Sequence, residues 1–190
     1  MLADALTLPT LETPRLRLRW MTEADVPALF ELFCDREVTR YWSWSAYTEV
    51  AQAEKLLRNI HACFAERSLF QWGIARREDD KVVGTCTLSE LSRPHRRAGL
   101  GYALNRACWG QGYGREAVGR VVEFGFTVLE LHRLEADVDP RNVSSIKVLE
   151  GLGFQHEGLQ RERYIIDGEV QDGVLYGLLR REWRPGASTR

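Results

Sequence analysis

The sequence predicts a layered α+β domain, a mixed and mostly antiparallel sheet of about seven strands flanked by helices. Three observations predict it. Apolar residues switch repeatedly between a period of two and a period near 3.6. A strand and two helices precede three strand-like segments in close succession, too closely spaced for helical crossovers, so these are antiparallel. A glycine-rich turn then opens a helix, followed by strand, helix and two strands.

Arg15-Leu16-Arg17-Leu18-Arg19-Trp20 alternates as a strand with one wet face. Thr22-Glu23-Ala24-Asp25 resembles a capping box for a helix through Phe33, and Pro27 argues for a start at Asp25. Thr48 is the expected cap of a second helix, with Ala53, Leu56, Leu57, Ile60 and Phe64 at helical spacing. Residues 70–75 and 82–88 read as a hairpin joined by a polar turn. In the next strand, residues 99–104, Leu100, Tyr102 and Leu104 share one face. The other face is Gly99, Gly101 and Ala103, so bare that either a ligand backbone approaches it or a helix packs on it. A helix to about Leu129 presents Ala117, Val118, Val121, Val122 and Phe126. Leu134, Ala136 and Val138 alternate in a strand, and Asn142 caps a short helix that ends at Gly151 or Gly153. Residues 154–161 and 170–179 are the last strands. The first dozen residues show no period, and residues 185–190 form a polar tail, so both ends are expected to fray.

A chain of 190 residues suits one domain, with a core at about residues 10–183. A formal net charge of −1 argues for neither nucleic acid nor an anionic membrane as partner. Cys34, Cys63, Cys86 and Cys108 form no C-x-x-C pair and sit in apolar patterns, which reads as buried free thiols in a reducing compartment. Residues 1–10 do not read as a signal peptide, and no run is long enough to span a membrane. The expected location is cytoplasmic. His61, His95, His132 and His156 show no metal-ligand spacing, so no metal is expected.

The segment Trp109-Gly110-Gln111-Gly112-Tyr113-Gly114-Arg115-Glu116-Ala117 carries the chemistry. Glycines between a strand and a helix start leave backbone N–H groups open to an anion, and the helix terminus adds partial positive charge. A turn that needs positive φ and nothing more is the plain alternative for one glycine. Three at alternate positions followed by Arg115 favour anion binding. No Gly-Lys-Ser/Thr ends the loop, so it is not a P-loop. Gly112 to Ala117 does fit the dinucleotide pattern G-x-G-x-x-A, with Glu135 or Asp137 about twenty residues on. That pattern belongs to the first unit of a parallel sheet, whereas an antiparallel run precedes it here.

This segment resembles the coenzyme A motif of the Gcn5-related N-acetyltransferases (GNAT), and more narrowly the ribosomal-protein N-acetyltransferase branch. Asn142-Val143-Ser144-Ser145 and Leu152-Gly153-Phe154-Gln155-His156-Glu157-Gly158 agree, and residues 172–178 agree more weakly. The wider superfamily often carries Arg or Gln where this chain has Trp109. The resemblance implies a GNAT fold whose sheet splays at the cofactor site, and direct acetyl transfer from acetyl-CoA to a primary amine. It implies that Gln111, Gly112, Tyr113, Gly114 and Arg115 hold the pyrophosphate. Pantetheine would pair along the strand ending at Leu104, whose amide faces the acetyl carbonyl. Asn142 would contact the cofactor arm, besides capping its helix, and Ser145 would protonate the thiolate. Glu90 and Glu162 are the rival general bases, with Tyr164 where some relatives carry a carboxylate. Residues 94–97 read as a solvated loop or, less simply, as a site for the cofactor's 3′-phosphate.

Tyr41, Trp42 and Trp44, with Tyr47, either seal the core or line the acceptor channel. The implied acceptor is a protein N-terminal amine, with a small-molecule amine as alternative, and the enzyme would be a monomer or homodimer. A nucleotide-dependent oxidoreductase and a CoA-binding regulatory module without catalysis are the competing functions.

Overall fold

In the computed structural model, which describes residues 5–185, the expected strands and helices form and short elements join them. The alternating segment becomes β2 (Leu16–Arg19), preceded by a two-residue strand, β1 (Leu11–Glu12), that pairs with it. Leu8 and Leu11 are each only 3 % exposed. The expectation of a frayed start therefore fails from Leu8 onward, because these side chains join the core before any periodicity can show. Residues 1–4 and 186–190 of the expected loose ends lie outside the described residues.

A 3-10 turn at Glu23–Asp25 leads into α1 (Val26–Cys34), with Pro27 in its first turn. The Asp25 carboxylate accepts the Thr22 amide at 2.9 Å and both ends of the Arg19 guanidinium at 2.8 Å. A single turn, α2 (Arg36–Thr39), follows, capped by the Asp35 side chain. α3 (Val50–Ala65) buries Ala53, Leu57, Ile60 and Phe64. Glu49 rather than Thr48 caps it, and Gln52 Oε1 accepts both of their amides.

β3 (Phe70–Arg76), β4 (Val82–Ser92) and β5 (Arg97–Leu104) form the antiparallel run. α4 (Tyr113–Thr127), β6 (Arg133–Val138), α5 (Val143–Gly151), β7 (Gln155–Ile166) and β8 (Glu169–Leu179) complete the chain. The sheet has eight strands in the order β1-β2-β3-β4-β5-β6-β8-β7, and its one parallel contact is β5 with β6. Within it β5, α4 and β6 make a single βαβ unit around the glycine loop, and the run of successive parallel units that a dinucleotide fold needs is not formed among the described residues. α4 packs Ala117, Val118, Val121 and Phe126 on one face of the sheet, against side chains such as Leu16, Trp72 and Leu134. α1 and α3 cover the other face around Met21 and Ala103. No helix among the described residues is long and apolar enough to cross a membrane. Cys86 and Cys108 are buried as expected, but Cys34 is exposed, because it ends α1 on the side turned from the sheet.

β5 and β6 pair at Arg97 with Arg133, Ala98 with Leu134 and Gly99 with Glu135, and then part. Beyond that point β5 stays with β4 and β6 stays with β8. The closed end is bracketed by charge: Arg97 Nη1 and Arg133 Nε each reach Glu135 at 2.7 Å, and Arg133 also pairs with Glu157. Gly177 leaves room for this bracket, since a Cβ there would sit 2.5 Å from Glu157 Oε1 and push that side chain aside.

Burial pushes the Asp25 carboxyl up, but Arg19 and the Thr22 amide outweigh it and hold it below the ordinary aspartate range. Its stabilisation is therefore complete above that range and is lost as pH falls through the lowered value. Asp25→Ala leaves Arg19 with Asp80 as its remaining carboxylate and the Thr22 amide without its acceptor, and should cost about 2 kcal/mol at neutral pH. Urea unfolding measures this, and the gap to wild type should shrink as pH falls below that of an ordinary aspartate.

Candidate active site

The loop after β5 is built to hold its backbone open. Gly110 and Gly112 adopt φ of 72° and 80°, a conformation that L side chains rarely take. Gly112 is the N-cap of α4, so no side chain caps the helix and its first amides face outward. A Cβ on Gly110 would meet nothing within 4 Å, while one on Gly112 would approach Arg15 Nη2 at 3.3 Å. The exposed Gln111 donates its side-chain amide to the Ala107 carbonyl. Tyr113, Gly114 and Arg115 form the half-buried first turn, and Arg115 Nη2 donates to the Gly151 carbonyl at 2.9 Å.

A brace from the start of the chain holds this turn. Arg15 donates to Glu116 Oε2 at 2.7 Å and to the Gln111 carbonyl at 2.8 Å, and its guanidinium lies 4.7 Å from the Tyr113 ring centre. Thr13 Oγ1 and the Arg15 amide donate to Glu116 Oε1 at 2.7 and 2.9 Å. Burial alone raises Glu116, yet these donors and the Arg15 charge hold it below the usual glutamate range. Composition gave no sign of this brace, whose partners are about a hundred residues apart in the chain.

α5 connects the loop to the splay. Val148 and Gly151 near its C-terminal end lie beside Gly114 and Arg115, while Ser145 in its first turn, together with Leu149, faces a cavity of about 190 Å³. The cavity lies where β5 and β6 have parted. Its walls are Leu100, Gly101 and Tyr102 from β5 and Ala136, Asp137, Val138 and Asp139 from the β6 side. Gly101 leaves open space, with nothing within 4 Å of where its Cβ would be. Ala103, on the same strand, packs instead into the α1–α3 core. The bare face is thus open at Gly101 and packed at Ala103.

Asn142 lines the cavity and caps α5, its Oδ1 accepting the Ser145 amide at 3.1 Å. Ser145 Oγ is 2.8 Å from the Tyr102 hydroxyl. Burial pushes Tyr102 up to about 12, although the Ser145 bond works the other way. Leu104 lies at the end of β5 and is not in the cavity wall. Asn105 turns its amide to Val83 of β4, so Leu104 turns its peptide groups the other way, and its carbonyl accepts Trp109 Nε1 at 2.7 Å.

Tyr41, Trp42 and Trp44 line the cavity mouth. Trp42 also packs edge-on to Phe33, with ring centres 5.5 Å apart, so the aromatic loop seals the core and borders the cavity at once.

Glu90 and Glu162 are not brought to the cavity. Both are exposed and both adopt positive φ, 49° and 54°, at bulges in β4 and β7 that turn them aside. The carboxylates that do line it are Asp137, Asp139 and Asp172. Asp139 is committed to Arg141 at 2.6 Å. Asp137 accepts the Tyr164 hydroxyl at 2.8 Å and lies 3.6 Å from Arg163. Asp172 accepts the Glu162 amide at 2.7 Å and has no ion pair among the described residues. Arg97 is spent on Glu135 rather than offered to a phosphate. The described residues contain no cluster of His, Cys, Asp or Glu arranged to hold a metal.

Residues 15–155, which include both the glycine-capped helix and the splayed strands, match the acetyltransferase (GNAT) domain family. The chain belongs to the GNAT family. It is therefore an N-acetyltransferase, an acyl-transferring enzyme of a family that uses acetyl-CoA. It is 39 % identical over 176 residues to the N-acetyltransferase p20 of Bacillus licheniformis, covering 93 % of this chain and 99 % of that one. It is 27 % identical to the ribosomal protein uS5-alanine N-acetyltransferase of Escherichia coli, covering 93 % of each chain. The spermidine N-acetyltransferase of Vibrio cholerae, solved with CoA and spermine, superposes with a TM-score of 0.80. That match spans 90 % of this chain and 98 % of the other, at 23 % identity, and shows the shared GNAT fold.

Glu116→Ala removes one acceptor from three donors while leaving Arg15 and Thr13 in place. The GNAT domain should lose about 1 kcal/mol of stability in urea unfolding, because the Arg15 amide and Nε lose their acceptor while Thr13 keeps the Leu16 carbonyl and the exposed guanidinium keeps the Gln111 carbonyl and water.

Proposed function

We propose that this N-acetyltransferase moves the acetyl group of acetyl-CoA to the α-amino group at the N-terminus of a protein. The early parting of β5 and β6 carries the reading: it puts a cavity beside a strand edge whose peptide groups have no sheet partner, with α5 leading from there to the uncapped glycine turn. The residues fit the donor. The amides around Gln111, Gly112, Tyr113, Gly114 and Arg115 suit a pyrophosphate, and a side chain on Gly112 would press on Arg15 of the brace. The outward peptide edge of β5 up to Leu104 suits the amides of a pantetheine arm, with Asn142 across the gap. Ser145 is the hydroxyl that faces the cavity beside that path, and it serves as proton donor to the departing sulfur.

Acetyl transfer needs a neutral amine held against the thioester carbonyl, and the proton it sheds must go elsewhere. With Glu90 and Glu162 turned away, Asp137 and Asp172 take the incoming ammonium and relay its proton through water. Tyr41, Trp42 and Trp44 exclude bulk solvent around the first residue of the acceptor. Correct placement supplies the remaining acceleration, since a thioester is already reactive.

A protein α-amine fits the charges better than a polyamine does. Asp139 is neutralised by Arg141, and Arg40 and Arg141 flank the Tyr41 ring at 5.4 and 5.7 Å. A polycation would meet those arginines, whereas a peptide brings one ammonium and carbonyl oxygens that arginine can bind. The second reading, a small polyamine, draws on the two remaining carboxylates.

The test is a panel of N-terminal peptides and polyamines incubated with acetyl-CoA and assayed by mass spectrometry. Peptides should gain one acetyl group at the α-amine, with kcat/KM about tenfold or more above any polyamine, a difference of ~1.4 kcal/mol. A polyamine that outpaces every peptide would establish the second reading. CoA binding without any acetylated product would point to a regulatory module.

Gly112→Val should weaken CoA binding at least about tenfold by titration calorimetry, because the side chain presses on Arg15 of the brace and the backbone resists positive φ. Unchanged affinity with an intact circular dichroism spectrum would remove the glycine turn from the cofactor site.

A further inference from the structure

Ser145 is held in an unusual way for a serine in the first turn of a helix. Such a residue ordinarily spends its hydroxyl on nearby backbone. Here the described contact of Oγ is the Tyr102 hydroxyl, 2.8 Å away, reaching across the gap from β5 to α5. Tyr102 lies beyond the last parallel pair at Gly99, on the length of β5 that β6 no longer covers, and it lines the cavity with Ser145. The Ser145 amide is meanwhile fixed by Asn142 Oδ1. The serine is thus located from both sides.

Two hydroxyls at this distance share one hydrogen, so its direction decides what Ser145 can do. The phenol is the more acidic of the two and hence the stronger donor. Its bond to Oγ, at 2.8 Å, is also shorter than its alternative to the Ser145 carbonyl, at 3.3 Å. When Tyr102 donates, the serine's own hydrogen is left to point into the cavity. We propose that Tyr102 is a positioning residue for the transfer, donating to Ser145 Oγ so that the serine hydrogen faces the departing sulfur.

This inference rests on the reading that Ser145 serves the leaving group. As the C–N bond to the amine forms and the C–S bond breaks, the sulfur keeps the electron pair and takes the serine hydrogen. The serine oxygen, stabilised meanwhile by the Tyr102 hydrogen bond, regains a proton from water that has received the one shed by the amine. Burial keeps the phenol protonated to about 12, so the donor is present throughout the working range of an acetyltransferase.

The experiment compares Tyr102→Phe, Ser145→Ala and the double variant in steady-state kinetics, with acetyl-CoA and the acceptor that the wild-type enzyme acetylates best. Tyr102→Phe keeps the ring and removes the one hydrogen. Its kcat should fall about 10- to 100-fold while both KM values stay within about twofold of wild type. Ser145→Ala should lose at least as much, and the double variant no more than Ser145→Ala alone. Full activity in Tyr102→Phe, or losses that multiply in the double variant, would overturn the positioning role. If Tyr102→Phe fails to fold by circular dichroism, Ser145→Ala decides, and wild-type kcat there overturns the proposal. A wild-type enzyme that acetylates nothing would instead bring down the underlying reading, so the two failures are distinct.

Discussion

Everything at the site follows from a parallel pairing that stops after Gly99 and Glu135. A strand that loses its neighbour leaves backbone donors and acceptors facing a gap, and such groups are costly unless something meets them. β5 is held on its other edge by β4, and β6 by β8, so neither strand can swing back to close the opening. The charged bracket of Arg97, Glu135, Arg133 and Glu157 pins the closed end, and the separation grows from there. Under the proposed function, a gap with fixed walls and a strand edge free of sheet partners receives the extended, amide-bearing arm of the cofactor. It needs no moving part to do so.

The glycine turn depends on the same frame. Its helix, α4, is packed on the sheet by Ala117, Val118 and Val121, which aims the helix start along the sheet toward the open end. Arg15 and Thr13 then tie that start to the segment entering β2, through Glu116. Positive φ at Gly110 and Gly112 has a conformational cost, and a well-braced first turn is what keeps the loop from relaxing into another shape. α5 touches the turn at Gly114 and Arg115 and the cavity at Ser145, so a molecule bound at both places would lie along one helix.

Local features of this architecture were legible in the sequence, and those that depend on register were not. The glycine turn, the Asn142 cap and the Gly101 gap each rest on residue types that act where they stand. β1 escaped notice because two residues cannot display a period, and α2 because one turn is too short to show a stripe. Glu90 and Glu162 entered as candidate bases through the resemblance, and both lie just beyond the strands read from the sequence, 82–88 and 154–161. A bulge in each strand reverses which side such a residue faces, and nothing in the local composition marks a bulge at a glutamate. The β7 bulge also brings Tyr164 to Asp137, and the two-residue period of β5 places Tyr102 against Ser145. Those contacts join strands and helices far apart in the chain, so only the assembled sheet reveals them.

The cavity's charges bear on the order of proton movements. An acceptor amine arrives as an ammonium, which carboxylates attract but which cannot attack a carbonyl. Asp139 does not compete for it, because Arg141 already neutralises that side chain from outside the cavity. Asp137 is engaged by a neutral hydroxyl, Tyr164, and only distantly by Arg163, while Asp172 is engaged by a backbone amide. Neither is fully paired, which leaves both carboxylates able to take a cation and then let it go. In the proposed reaction the aromatic mouth acts in the opposite sense, since an ammonium that has passed Tyr41, Trp42 and Trp44 loses part of its solvation and is pressed to release its proton. Under the proposed function, attraction by Asp137 and Asp172 and desolvation by the rings act in sequence on the same nitrogen. The first draws the amine in as a cation, and the second makes it a nucleophile where the strands part.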